Sequence, residues 1–94
     1  RPEVMKFARA MELKLRLHDE DRGKTGWRGD KKLGFIQAPL PALIERLQEE
    51  VKELVASYRS VINPEWMIDK DELCDIANFC MMLFDIGKEV SNAG

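Results

Sequence analysis

The sequence predicts an all-α fold, and three observations carry that reading. Apolar residues recur at helical spacing in three stretches, proline or an Asp-type cap opens each, and four of the six glycines gather in one charged segment between the first two. At 94 residues the chain fits a single domain spanning 1–94, and a domain this small covers only part of its own apolar surface. Apolar residues make up 45% and charged residues 34%, the balance of a folded helical protein rather than a disordered or fibrous one.

The first stretch runs from about Pro2 to Leu17, with Val4, Phe7, Ala8, Met11, Leu15 and Leu17 along a ragged apolar side. Pro2 suits a first turn, where its missing N–H costs nothing. From His18 to Ala38 the periodicity stops, and Gly23, Gly26, Gly29 and Gly34 mark an irregular segment of a length that compact domains usually keep for function. The second helix begins near Pro39 to Pro41 and continues to about Tyr58. Leu40, Leu43, Ile44, Leu47, Val51, Leu54, Val55 and Tyr58 stand in register for one stripe. Asn63-Pro64 ends that pattern, and Trp66 after it is expected to staple the next element. Asp69 followed three residues on by Glu72 reads as a capping-box-like start to a third helix reaching about Ser91, with Lys88 suited to its negative C-terminal end.

That third helix carries apolar residues on nearly every side, from Leu73 and Ile76 through Phe79 and Met82 to Phe84. A helix of this kind is buried on more than one face. With three helices in the protomer, the expected architecture is a four-helix-bundle-like core completed by a partner copy, as a homodimer or homotetramer.

The net charge of -2, from 17 acids against 15 bases, argues against a nucleic-acid backbone or an anionic membrane as main partner. No apolar run approaches the ~18 residues of a membrane span, and nothing resembles a signal peptide, so a cytoplasmic location is expected. Cys74 and Cys80 lie about 9 Å apart along one helix, beyond the ~7 Å reach of a disulfide, and are expected as free thiols.

Placement, rather than number, singles out the acids. At about 100° per residue, Glu50 lies at the edge of the second helix's stripe and Glu53 about 60° beyond it. On the third helix, Glu72 falls within the arc of Ile76, Phe79, Leu83, Ile86 and Val90, and Asp75 lies near its margin. Ionised carboxylates on a buried face cost several kcal/mol each unless paired or bound to metal, and this face of the third helix offers no Lys or Arg near Asp75. A cation is the simplest compensation. The pairs read Glu-x-x-Glu at 50 and 53 and Glu-x-x-Asp at 72 and 75, with a gap suited to antiparallel helices. Four carboxylates without histidine form a hard oxygen site that favours Mg²⁺ or Mn²⁺ over zinc or di-iron. Taken alone, Glu49, Glu50 and Glu53 read as a solvated helix face; the second pair, set against Ile76 and Phe79, tips the balance toward a site.

Glu49-Glu50-Val51-Lys52-Glu53 and Glu72-Leu73-Cys74-Asp75 resemble the EExxE and ExxD motifs of the MazG-like all-α nucleoside triphosphate pyrophosphohydrolases of small phage and archaeal type. The continuation Asp75-Ile76-Ala77-Asn78-Phe79-Cys80-Met81-Met82 looks like their third helix, and Lys24-Thr25-Gly26-Trp27 looks like their KGGW segment, with Thr25 in place of a glycine. The stretch from Arg28 to Ala38 has no counterpart. The resemblance implies hydrolysis of a nucleoside triphosphate to the monophosphate and pyrophosphate, with Glu50, Glu53, Glu72 and Asp75 as catalytic metal ligands for Mg²⁺. Glu49, projecting away from the apolar stripe, is expected to support the site from behind or to face solvent.

Trp27 in the glycine-rich segment would stack on a base while Lys24 and Arg28 meet phosphates, or would plug the core. Asn78 continues the row of Glu72 and Asp75 and would bond sugar or base, or serve as an interface amide. His18 is expected at the surface or in a cap, and the segment lacks the G-K-[ST] ending of a P-loop. Two rivals remain at this level: a phosphoribosyl-ATP pyrophosphohydrolase, and a non-catalytic helical interaction module whose acids are only a solvated face.

Overall fold

The structure, a computed structural model, describes residues 1–19, 27, 39–60 and 67–88. These form three helices and, among the described residues, no strand: α1 (Pro2–Arg16), α2 (Pro39–Ser60) and α3 (Lys70–Ile86). None is long and apolar enough to cross a membrane.

Each helix has a local cause. In α1, Pro2 occupies the first turn, Glu3 sits near the positive end, and Lys14 and Arg16 sit near the negative one. Arg16 also reaches back to Glu12 at 3.2 Å, one turn earlier. In α3 the expected cap is present: the Asp69 side chain accepts from the Glu72 N–H at 3.1 Å. The far end of α3 differs from the sequence expectation. It stops at Ile86 rather than near Ser91, because Gly87 turns to extended backbone (φ -72, ψ 145) while its N–H still bonds the Leu83 carbonyl at 2.8 Å. Lys88 therefore follows the helix instead of closing its last turn.

The core sits along α3, which packs against both neighbours and more extensively against α2. Contacts fix the directions. Arg46 of α2 lies over Phe79 while Glu50 and Glu53, further along, meet Glu72, so α2 and α3 run antiparallel. Lys14 reaches Asp75 and Asn78 reaches back to Met11, so α1 is antiparallel to α3 as well.

The stripe expected on α2 divides in two. Leu43 is buried and Leu47 and Leu54 are half-buried, whereas Leu40, Ile44, Val51, Val55 and Tyr58 are all exposed. The face of α2 that meets α3 is rotated away from the centre of the stripe, carrying Glu50 inward and the β-branched residues outward. On α1 no residue is buried, and Val4, Phe7 and, just past its end, Leu17 are exposed. Among the described residues the buried set is Leu43, Cys74, Glu50 and Asn78, two apolar groups beside two polar ones. Cys74 and the exposed Cys80 are free thiols, as their spacing predicts.

Candidate metal centre and adjoining cavity

Glu50 and Glu53 lie three residues apart on α2, on neighbouring angles of the helix, and Glu72 lies in the capped first turn of α3. Antiparallel packing brings the three together. One carboxylate oxygen from each lies within 4.8 Å of the others, with Glu50 buried at 7% exposure, Glu72 half-buried and Glu53 exposed. Glu50 is thus the deepest of the acids, although the sequence puts Glu72 there; the rotation of α2 is the reason.

Crowding of like charges shows in the protonation of Glu72. A hydrogen bond with Glu50, which two carboxylates can make only by sharing a proton, raises its pKa from 4.5 to about 7, aided by burial and by the charges of Glu50, Glu53 and Asp75. Its Oε2 is buried and has no donor from the protein. An orphaned, buried oxygen beside the carboxylates of Glu50 and Glu53 fits a hard divalent cation, and these residues could hold one.

Asp75 stands beside this group of three rather than within it. Its carboxylate faces Lys14 of α1 at 3.9 Å. Burial raises its pKa, with Lys14 opposing and the charge of Glu50 adding to the rise. The third helix itself lacks a cation here; α1 brings one. A second cation, Arg46, bonds Glu49 at 2.9 Å, approaches Glu50 at 3.5 Å and lies 5.9 Å above the Phe79 ring. Glu49 is exposed and bonded to Arg46, and is not one of the three converging acids.

On the other side of α3, a cavity of about 780 Å³ opens between α1, Trp27 and the helix, with Met11, Leu15, Arg16, Asn78 and Met81 in its wall. Trp27 donates its indole N–H to Asp85 at 2.9 Å. Asn78 donates through Nδ2 to the Met11 carbonyl at 3.2 Å, and its buried Oδ1 has no partner. His18 is exposed, as expected. Lys24, Arg28 and Trp66 lie outside the described residues.

The sequence reading missed Lys14 and Arg46. Arg46 was legible as a basic residue one turn before Glu49 and Glu50; Lys14 offered only its place between Met11 and Leu15 on the inner side of α1. Comparison with protein-family models, curated proteins and solved structures returns no match to this chain.

Proposed function

We propose that the protein is a divalent-metal-dependent pyrophosphohydrolase that cleaves a nucleoside triphosphate, ribo- or deoxyribo-, to the monophosphate and pyrophosphate. The observation that carries this reading is the orphaned Oε2 of Glu72, placed where carboxylates of two facing helices converge. Glu50, Glu53 and Glu72 would hold Mg²⁺ or Mn²⁺, with Asp75 completing the set beside them. Bound there, such an ion neutralises phosphate charge and lowers the pKa of an attacking water.

The chain's own residues supply the rest. A carboxylate of the cluster accepts the proton of the attacking water, so neither a serine nor a histidine nucleophile is needed. Lys14 and Arg46 flank the acids and offer N–H donors to phosphate oxygens. Trp27 and Asn78 line the space for the nucleoside, with Lys24 and Arg28 nearby in sequence. The exposed apolar row of α2 supports assembly of copies into a homodimer or homotetramer.

Pyrophosphate release from a panel of ribo- and deoxynucleoside triphosphates, with Mg²⁺ and with EDTA, tests the reading. Metal-dependent pyrophosphate from several nucleotides is expected. A single accepted substrate such as phosphoribosyl-ATP would narrow the assignment, and absence of both product and Mg²⁺ binding would leave a helical interaction module.

A further inference from the structure

We propose that Arg46 serves the acidic site as a resident counter-charge: it is held against Glu50 in the metal-free fold, weakens binding of a bare divalent ion, and passes to the polyphosphate when ion and nucleotide arrive together. The identity of the polyphosphate rests on the pyrophosphohydrolase reading; the opposition between Arg46 and a cation rests on where Arg46 lies.

Glu50 is the most buried of the three converging acids, its side chain 10% exposed, and Arg46 Nη2 approaches its Oε1 at 3.5 Å from one turn earlier on α2. Among the described residues, no other ion pair reaches Glu50, Glu53 or Glu72. A buried carboxylate is costly without a partner, and the guanidinium supplies one that never gives up its charge. A divalent ion that joins Glu50 is therefore opposed by a fixed positive charge on the neighbouring group, an effect that salt screens.

Arg46 is not tied to Glu50 alone. Its Nη1 donates to Glu49 at 2.9 Å, and its guanidinium carbon lies 5.9 Å from the centre of the Phe79 ring. These two contacts keep the group at the edge of the acids when Glu50 is engaged elsewhere. The Arg46 side chain is 52% exposed, so a phosphate can meet it from solvent without disturbing the packing of α2 on α3. Its planar fork of N–H donors matches phosphate oxygens better than a point charge does.

The two ligands then assist each other. Phosphate neutralises the guanidinium, which lifts its opposition to the ion, and the ion takes over Glu50, which frees Arg46 for phosphate. Such coupling is reciprocal. The site resists the bare ion and accepts one that arrives with phosphates. A residue that merely steadied Glu50 would act with the opposite sign, since its loss would weaken the ion.

Calorimetric titration with Mg²⁺ at pH 8 and low salt, without nucleotide, separates the two roles. Arg46→Met and Arg46→Gln, both neutral, should bind Mg²⁺ about threefold to tenfold more tightly than wild type, and Arg46→Lys, which keeps the charge, should stay near wild type. The gain should shrink in about 1 M salt. For the Mg²⁺ complex of α,β-imido-dATP the neutral variants should instead lose affinity, by about threefold or more. Unchanged or weaker Mg²⁺ binding in a folded neutral variant overturns the inference, as does a gain for both ligands. Loss of helical circular dichroism in both neutral variants also overturns it, by making Arg46 a structural residue. Failure is separable from that of the function itself. Pyrophosphate release by a wild type whose Mg²⁺ affinity is indifferent to Arg46 removes only the counter-charge, whereas opposite shifts for the two ligands in a protein that releases no pyrophosphate remove only the enzyme. Absence of Mg²⁺ binding by wild type and variants at millimolar concentration removes both.

Discussion

Glu50 and Glu72 face each other from antiparallel helices closely enough to share one proton, and that proton belongs to the metal-free fold. A cation that takes its place would convert mutual repulsion into coordination. The pH and metal dependence of stability follow from this one pair.

Glu72 holds its proton up to about pH 7 in the folded chain, whereas its ordinary value is 4.5. Between those values the folded state binds more protons than the unfolded one, so unfolding free energy declines as pH rises. Asp75, also raised, acts in the same direction. The metal-free protein should therefore show a Tm that falls between about pH 5 and pH 8, and Glu72→Gln should flatten much of that slope. A Tm climbing through this window in wild type would contradict the shared proton.

Glu72→Gln keeps the shape and removes a charge. It should abolish pyrophosphate release and most of the Mg²⁺-induced rise in Tm, while the metal-free variant equals or exceeds wild type at pH 8. A gain of about 1 kcal/mol would appear as ~4–8 °C in a domain of this size. Glu49→Gln, at an exposed position outside the three converging acids, should retain the Mg²⁺ shift. A full Mg²⁺ shift in Glu72→Gln would end the metal assignment.

Trp27→Ala should raise KM for all nucleotides with little loss of fold, stacking contributing roughly 1–3 kcal/mol. Trp27→Phe retains a ring but not the bond to Asp85, and should fall between the two. If Trp27→Ala instead melts the protein and the surviving fraction keeps its KM, the indole is a plug for the cavity.

Ile44, Val51 and Val55 form one exposed row on α2. Light scattering should find a dimer or tetramer at micromolar concentration, and Val51→Glu with Val55→Glu should shift it toward monomer. A wild-type monomer at that concentration would remove the proposed assembly.

A Cβ at Gly87 would stand 2.7 Å from the Leu83 carbonyl oxygen, backbone that has little room to give. Gly87→Ala should destabilise the fold by about 1–3 kcal/mol, read as a lower Tm, through displacement of the α3 terminus. An unchanged Tm would show that this end frays at no cost.

The helices were legible because their signals are local: Pro2, the Pro39 to Pro41 start and the Asp69 cap act within a turn. The meeting of Glu50, Glu53 and Glu72 was legible too, because helical angle and antiparallel gap suffice to place it. Rotation of α2 was not, since Leu40, Ile44, Val51, Val55 and Tyr58 differ from Leu43 and Leu47 only by what packs against them. Lys14 beside Asp75 and the Met11 carbonyl under Asn78 depend on how α1 docks, which no periodicity within α1 contains. The end of α3 was misread because apolar spacing continues through Val90, past the glycine that stops the helix.

Because α3 turns about 120° between Glu72 and Asn78, one helix presents acid to α2 and amide to α1. The six-residue step between them therefore works as a phase setting as well as a length. One residue more or less would swing Asn78 by about 100° relative to Glu72 while moving it only about 1.5 Å along the axis. The bond from the Asn78 amide to the Met11 carbonyl would be lost while the acids stayed together. This stretch of α3 can thus tolerate changes of side chain far better than changes of count.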